Sequence, residues 1–94
     1  MNKENIVSVI NGSEKLIIKF GAEWCKPCKA MAPILKDIEE NNGIIVIDLD
    51  VDSESELTEE FGIKGIPTLI YYKNGEKINT SIGSLTKEAI LNNF

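Results

Sequence analysis

Two cysteines separated by two residues constrain this chain more than any other feature of its sequence. Cys25 and Cys28, with Lys26 and Pro27 between them, follow an apolar run over residues 16–20 and open a helical pattern. That context makes a C-x-x-C a redox motif rather than a bare spacing. The alternatives are an inert structural bridge and a metal centre, which would need ligands from a second chain because the sequence has no histidine.

The position of Cys25 at the start of a predicted helix favours attack by its thiolate. Unpaired amides at a helix amino terminus carry partial positive charge, which lowers the pKa of a thiol there. One turn later, Cys28 can attack the Cys25 sulfur of a mixed disulfide and release the substrate reduced. Pro27 lacks an amide hydrogen where helix donors have no partner anyway, so it fixes the turn at little cost. We therefore predict Cys25 as nucleophile and Cys28 as resolving cysteine.

Composition excludes several other classes of function. The formal net charge is −5, and ten lysines with no arginine offer no bidentate contact to phosphates or bases, so we expect no nucleic-acid partner. The lack of histidine excludes Ser-His and Cys-His catalysis within the chain. The apolar stretch over residues 6–10 is too short for a signal peptide, and no segment approaches the ~20 apolar residues of a membrane span. We expect a cytoplasmic, reducing location and no membrane association.

The hydrophobic pattern predicts a single α/β domain over residues 1–94. Asn74-Gly75 is a two-residue hairpin signal, which makes the last two strands antiparallel. Ser53 and Glu56 fit a capping box, and Pro33 should bend the helix that contains it. The order of elements predicts a central mixed sheet with helices on both faces. The predicted elements are a helix over 3–10, a buried strand over 16–20, a helix over 25–41, a buried strand over 44–51, a helix over 53–61, strands over 68–72 and 77–82, and a last helix capped by Thr86.

Five segments of the sequence together form a specific pattern: F-G-A-E-W-C-K-P-C-K, A-P-I-L, F-G-I-K-G-I-P-T, K-N-G and I-G-S-L-T. In these segments the sequence resembles the thioredoxin family. The resemblance covers roughly residues 14–94. It implies the family's mixed sheet flanked by helices, here with about four strands because Met1 lies too close to the first helix for the family's leading strand. It also implies a protein disulfide reductase with no bound cofactor or metal, disulfide-containing client proteins, and a thioredoxin reductase as electron donor. We expect a monomer.

The resemblance also assigns a substrate surface. Pro67 should be a cis proline beside the cysteine pair, and the main chain of Ile66 before it should pair with an extended substrate strand. Trp24, Pro27 and Gly83 would then shape a shallow apolar surface around that strand. Recognition through the main chain is broad, so many proteins are expected as clients.

The sequence departs from the family's pattern at four positions. Lys19 stands where thioredoxins typically carry a buried Asp, and Asp48 where they commonly have Lys. We expect the two to form a reversed pair beneath the cysteines, with Asp48, through water, replacing the family's acid. The alternative places the Lys19 ammonium in water at a strand end. Lys26 replaces a Gly and should make the disulfide more oxidising, and Gly21 replaces an aromatic residue, so the packing behind the site should differ.

Two other functions stay open at this point. A more oxidising oxidase, isomerase or glutathione-linked carrier is favoured by Lys19 and Lys26. A non-catalytic binding subunit is disfavoured because Cys25, Cys28 and Pro67 are intact. Acidic residues alternate over 48–56 in a way that suggests calcium, but the segment lacks the turn Gly and ligand order of an EF-hand, so a solvated strand end is the preferred interpretation.

Overall fold

Four helices and four strands make up the part of the chain that this computed structural model describes, residues 2–94. In chain order they are α1 (Lys3–Asn11), β1 (Lys15–Gly21), α2 (Lys26–Asn42), β2 (Ile45–Asp50), α3 (Ser55–Glu60), β3 (Thr68–Lys73), β4 (Glu76–Ile82) and α4 (Lys87–Leu91). None of these helices is long and apolar enough to cross a membrane. The predicted order of elements is confirmed.

The strands form one mixed sheet in the order β2-β1-β3-β4. β1 pairs in parallel with β2 and antiparallel with β3, and β3 pairs antiparallel with β4. The turn between β3 and β4 has Asn74 at φ 52° and Gly75 at φ 83°, the two positive φ values that a tight hairpin of this kind requires. The predicted four-stranded mixed sheet and its hairpin are therefore confirmed, with no strand before α1 within residues 2–94.

The alternation of side chains along β1 divides the core between the two faces of the sheet. One buried cluster lies on the face covered by α1 and α3, and β1 contributes Leu16, Ile18 and Phe20 to it. On the opposite face, covered by α2 and α4, Ile17 packs with Met31 and Leu35. Because successive side chains of a strand point to opposite faces, Lys19 and Gly21 lie on this second face, beneath the start of α2.

Two local predictions are wrong. β2 is half exposed rather than buried, because it lies at the edge of the sheet, where Ile45 is 42% exposed. The Val46 amide on this edge donates to the Glu39 carboxylate at 3.4 Å. The Ser53 capping box is also absent: α3 begins at Ser55, and the Asp50 carboxylate accepts the Ser53 amide at 3.2 Å, so the turn after β2 uses Asp50 instead.

The predicted Thr86 cap of the last helix is confirmed. Gly43 ends α2, and the Thr86 hydroxyl accepts from the Ala89 amide at 3.2 Å at the start of α4. α4 is also tied to α2 by the Lys87 ammonium, 2.9 Å from the Asp37 carboxylate. The hydrogen bond from Lys87 and a second one from Asn41 hold the pKa of Asp37 below its usual value. α2 continues through Pro33, as the sequence pattern requires.

Candidate active site

Cys25 and Cys28 form a disulfide at the point where β1 leads into α2. Their Cα atoms are 5.3 Å apart and both residues are buried. Cys25 is the N-cap of α2, and its Sγ accepts a hydrogen bond from the Cys28 amide at 3.3 Å. The sequence therefore places one sulfur at the amino end of the helix and the other one turn inside it, as predicted.

Backbone hydrogen bonds at the end of β1 and at the start of α2 hold the two cysteines in place. Gly21 ends β1, and its carbonyl accepts from the Val51 amide at 2.9 Å, which extends the parallel β1–β2 pairing to the edge of the site. The Cys25 amide donates to the Ala22 carbonyl at 3.2 Å, which closes the turn into α2. Pro27 lies in the first turn, where no helix donor is lost. The amino end of a 17-residue helix thus faces the Cys25 sulfur and stabilises negative charge there.

Trp24 directly precedes Cys25 and lies on the surface beside the site. Its side chain is 68% exposed, and its Nε1 donates to the Asp52 carboxylate at 2.8 Å. A cavity of about 200 Å³ lies between Trp24 and the loop before β3, which includes Gly65 and Ile66. Sequence reasoning missed Asp52 as a site residue, because nothing in the pattern links it to a tryptophan 28 residues earlier.

The loop before β3 forms the other side of the site. The Ile66–Pro67 peptide bond is cis, as the resemblance implies. Ile66 packs against the cluster that contains Cys25 and Cys28. The Gly83 amide donates to the Pro67 carbonyl at 2.8 Å, and none of the turn and loop backbone hydrogen bonds among residues 2–94 involves Ile66. The structure thus brings Ile66, Pro67 and Gly83 together near the cysteines and leaves the main chain of Ile66 open.

Lys19 and Asp48 meet beneath the cysteines. They are register partners in the parallel β1–β2 pair, with Nζ 3.6 Å from a carboxylate oxygen. The Lys19 side chain is 5% exposed and that of Asp48 is 63% exposed, so the pair is present but only its cation is buried. The Lys19 Nζ also donates to the Cys28 carbonyl at 3.1 Å. The alternative in which the ammonium lies in water at a strand end is wrong, because Lys19 lies inside β1 and is buried.

The space behind Cys28 differs from what an aromatic residue at position 21 would leave. A β-carbon on Gly21 would lie 3.2 Å from the Cys28 Sγ and 3.3 Å from the Lys19 Cε, tighter than ordinary contact. An open cleft of about 370 Å³ borders Gly21, Lys19, Cys28 and Asp48. Lys26, by contrast, is exposed at the first position of α2. Glycine at position 21 therefore leaves room on this face for both the Lys19 side chain and Cys28.

Comparison with known proteins agrees with this geometry. The family profile described as Thioredoxin matches residues 1–94. A thioredoxin of Alicyclobacillus acidocaldarius subsp. acidocaldarius is 39% identical over 88 residues, which are 92% of this chain and 84% of that protein. The bifunctional thioredoxin reductase/thioredoxin of Mycobacterium leprae (strain TN) is 36% identical over 85 residues, 88% of this chain and 19% of that protein. The solved structure of a mutant thioredoxin from Halobacterium salinarum NRC-1 superimposes with a TM-score of 0.90 at 25% identity, over 98% of this chain and 81% of that one.

Proposed function

The chain belongs to the thioredoxin family and is a thiol–disulfide oxidoreductase with disulfide reductase activity, and we propose that Cys25 and Cys28 carry out that reaction. The observation that supports this assignment is the Cys25 sulfur at the N-cap of α2. In the reduced protein, the Cys25 thiolate attacks a substrate sulfur, and the second substrate sulfur leaves as a thiolate. Cys28 then loses its proton and attacks Cys25, so the substrate leaves with both sulfurs reduced and the protein is oxidised.

We propose that the substrate binds as an extended strand beside the loop before β3. The open main chain of Ile66 can pair with substrate main chain, in the manner of strand addition at a sheet edge. Trp24, Pro27 and Gly83 would surround this position with a shallow apolar surface, whereas the Pro67 side chain is fully buried. Main-chain pairing selects for an exposed disulfide in an extended segment rather than for a particular side chain, so the clients are disulfide-containing proteins.

We propose that a thioredoxin reductase returns electrons to the Cys25–Cys28 disulfide. The Mycobacterium leprae relative supports this, since its name joins a thioredoxin reductase and a thioredoxin in one protein. No bound cofactor is needed in this chain, because both electrons of each turnover reside on the two sulfurs. A reducing compartment such as the cytoplasm suits this cycle. The expectation of a monomer stays a prediction.

The reduction potential of the Cys25–Cys28 pair tests the reductase assignment. Equilibration in glutathione buffers, followed by alkylation of free thiols, should give a value near the roughly −270 mV of thioredoxins, and the reduced protein should reduce a disulfide-bonded test protein. A potential near the roughly −200 to −230 mV of glutaredoxins, or higher, would instead favour the carrier or oxidant. A pair that forms no disulfide and reduces nothing would leave the binding subunit or a metal centre shared between two chains.

Lys26 favours the more oxidising alternative, and its contribution can be measured. Its ammonium stabilises the thiolate of the reduced protein relative to the disulfide, so Lys26→Gly should lower the potential and make the protein more reducing. The shift should be at most about 20 mV, because an exposed charge contributes no more than about 1 kcal/mol. Lys26→Gln is the matched control for the added flexibility of glycine and should give the same shift. An unchanged or higher potential in both variants contradicts a role for the charge.

A further inference from the structure

Lys19 is the one charged residue that is buried among residues 2–94. An ammonium transferred out of water loses several kcal/mol of solvation unless its partners replace that water. Here the partners are a main-chain carbonyl, that of Cys28, at 3.1 Å and the Asp48 carboxylate at 3.6 Å. Asp48 is mostly exposed, so water screens its side of the pair. Much of the field of the buried cation is therefore left uncompensated.

The positive charge of Lys19 acts on the resolving cysteine, Cys28. A β-carbon on Gly21 would lie 3.2 Å from the Cys28 Sγ and 3.3 Å from the Lys19 Cε, so both side chains border the same small space at Gly21. The charged residues that line the cleft beside them are Lys19, Glu23, Lys29, Asp48 and Asp50. Glu23, Lys29 and Asp48 are exposed and Asp50 is half exposed, so their effects on the sulfur are weakened by water. Lys19 is the one buried charge among these residues, so its effect on the neighbouring Cys28 is the least weakened by water.

We propose that Lys19 is a positioning residue that holds Cys28 by its carbonyl and stabilises the Cys28 thiolate for the resolving step. The step rests on the proposed function. The Cys28 thiol gives its proton to Asp48 or to water in the open cleft, and the resulting thiolate attacks the Cys25 Sγ of the mixed disulfide. The Cys25–Cys28 bond forms, the bond from Cys25 to the substrate sulfur breaks, and that sulfur leaves as a thiolate that takes up a proton from solvent.

The charge at position 19 sets the sign of this effect. A cation beside Cys28 favours the thiolate over the thiol, whereas an ionised acid at the same place would favour the thiol. An acid there would have to take the proton itself before the thiolate could form. Lys19 instead lowers the cost of the thiolate and leaves proton transfer to the cleft, where Asp48 is exposed.

The pH titration of the Cys28 thiol tests this proposal. In Cys25→Ser protein, the rate of Cys28 alkylation by iodoacetamide against pH gives the midpoint of thiolate formation. Lys19→Met should raise that midpoint by about one pH unit or more, because it removes the buried cation. Asp48→Asn should lower it by less, because it removes a screened anion. Lys36→Met, which removes an exposed lysine from α2, should leave it unchanged.

The resolving step should follow the titration. With both cysteines present, Lys19→Met should slow release of substrate from the mixed disulfide at neutral pH by between about threefold and tenfold. A higher pKa of the Cys28 thiol leaves less thiolate at that pH, and the higher nucleophilicity of the remaining thiolate offsets only part of this loss. A merely structural lysine would alter the melting temperature but not the midpoint. An unchanged midpoint in Lys19→Met, or equal shifts in Lys19→Met and Lys36→Met, overturns the proposal.

These variants distinguish a failure of the proposed role of Lys19 from a failure of the proposed disulfide reductase activity. If Lys19→Met does not fold, Asp48→Asn decides: a lower midpoint supports the proposal, and no change or a rise overturns it. If the unchanged protein fails to reduce a disulfide-bonded test protein, the proposed function fails, and the resolving role of Lys19 fails with it. If the protein is active but the midpoints do not move, only the role of Lys19 is lost.

Discussion

Cys25→Ser should abolish disulfide reduction, and Cys28→Ser should leave the protein joined to its substrate. A serine hydroxyl is not ionised at neutral pH, so without the Cys25 thiolate the first attack cannot occur, and the rate should fall by more than about 10³-fold. Without Cys28 the attack still occurs, because Cys25 remains at the N-cap of α2. The mixed disulfide then persists, since nothing inside the protein attacks it.

The two variants are best compared by intact-mass analysis after mixing each with a disulfide-bonded test protein. The Cys28→Ser sample should gain the mass of one substrate chain and lose it on addition of a small dithiol, and the Cys25→Ser sample should gain nothing. Far-UV circular dichroism controls for folding. Adducts on Cys28 in the Cys25→Ser variant would reverse the assigned roles, and rapid turnover of Cys28→Ser with glutathione would identify a glutathione-linked carrier.

Phe20→Ala should be the most destabilising single substitution near the site. Phe20 is fully buried on the face opposite Lys19, and its ring centroid lies 5.4 Å from that of Phe61. Removal of a buried phenyl ring costs about 3–5 kcal/mol, through lost transfer free energy and the cavity left behind. For a domain of this size that should lower the melting temperature by at least about 12 °C.

The matched control for this loss is Phe20→Leu. Leucine fills most of the volume and keeps the site apolar, so it should cost less than about 1.5 kcal/mol. Both variants should be unfolded by denaturant in the oxidised state, so that the cysteine bridge is the same in each, and the slope against denaturant should match that of the unchanged protein. A cost below about 1 kcal/mol for Phe20→Ala would mean that the cluster around Phe20 collapses into the space or never packs tightly.

Those features of the fold that depend on neighbouring residues could be predicted from the sequence. Local structure follows directly from the residues in three places: the apolar run over 16–20, the cysteines one helical turn apart, and the Asn74-Gly75 turn. The Lys19–Asp48 pair could also be predicted, because the resemblance placed each residue at a position known to carry the opposite charge. Their contact then follows from the parallel register of β1 and β2.

Features that depend on competition between distant or alternative partners could not be predicted. Ser53 and Glu56 have the right spacing for a cap, but Asp50 accepts the amide of Ser53 first. The hydrogen bond from Trp24 to Asp52 joins residues that only the folded sheet brings together. The exposure of Asp48 depends on β2 being an edge strand, and an apolar run does not reveal whether another strand will cover it.

The open edge of β2 also bears on how the protein behaves at high concentration. An uncovered strand offers its amides and carbonyls to any other chain, and two identical edges can join into a continued sheet, which is the first step of aggregation. Here the Glu39 carboxylate occupies the Val46 amide, and Asp48 places a second negative charge on the same edge. Two copies that approach edge to edge would bring these like charges together, which should oppose continuation of the sheet from one copy to the next.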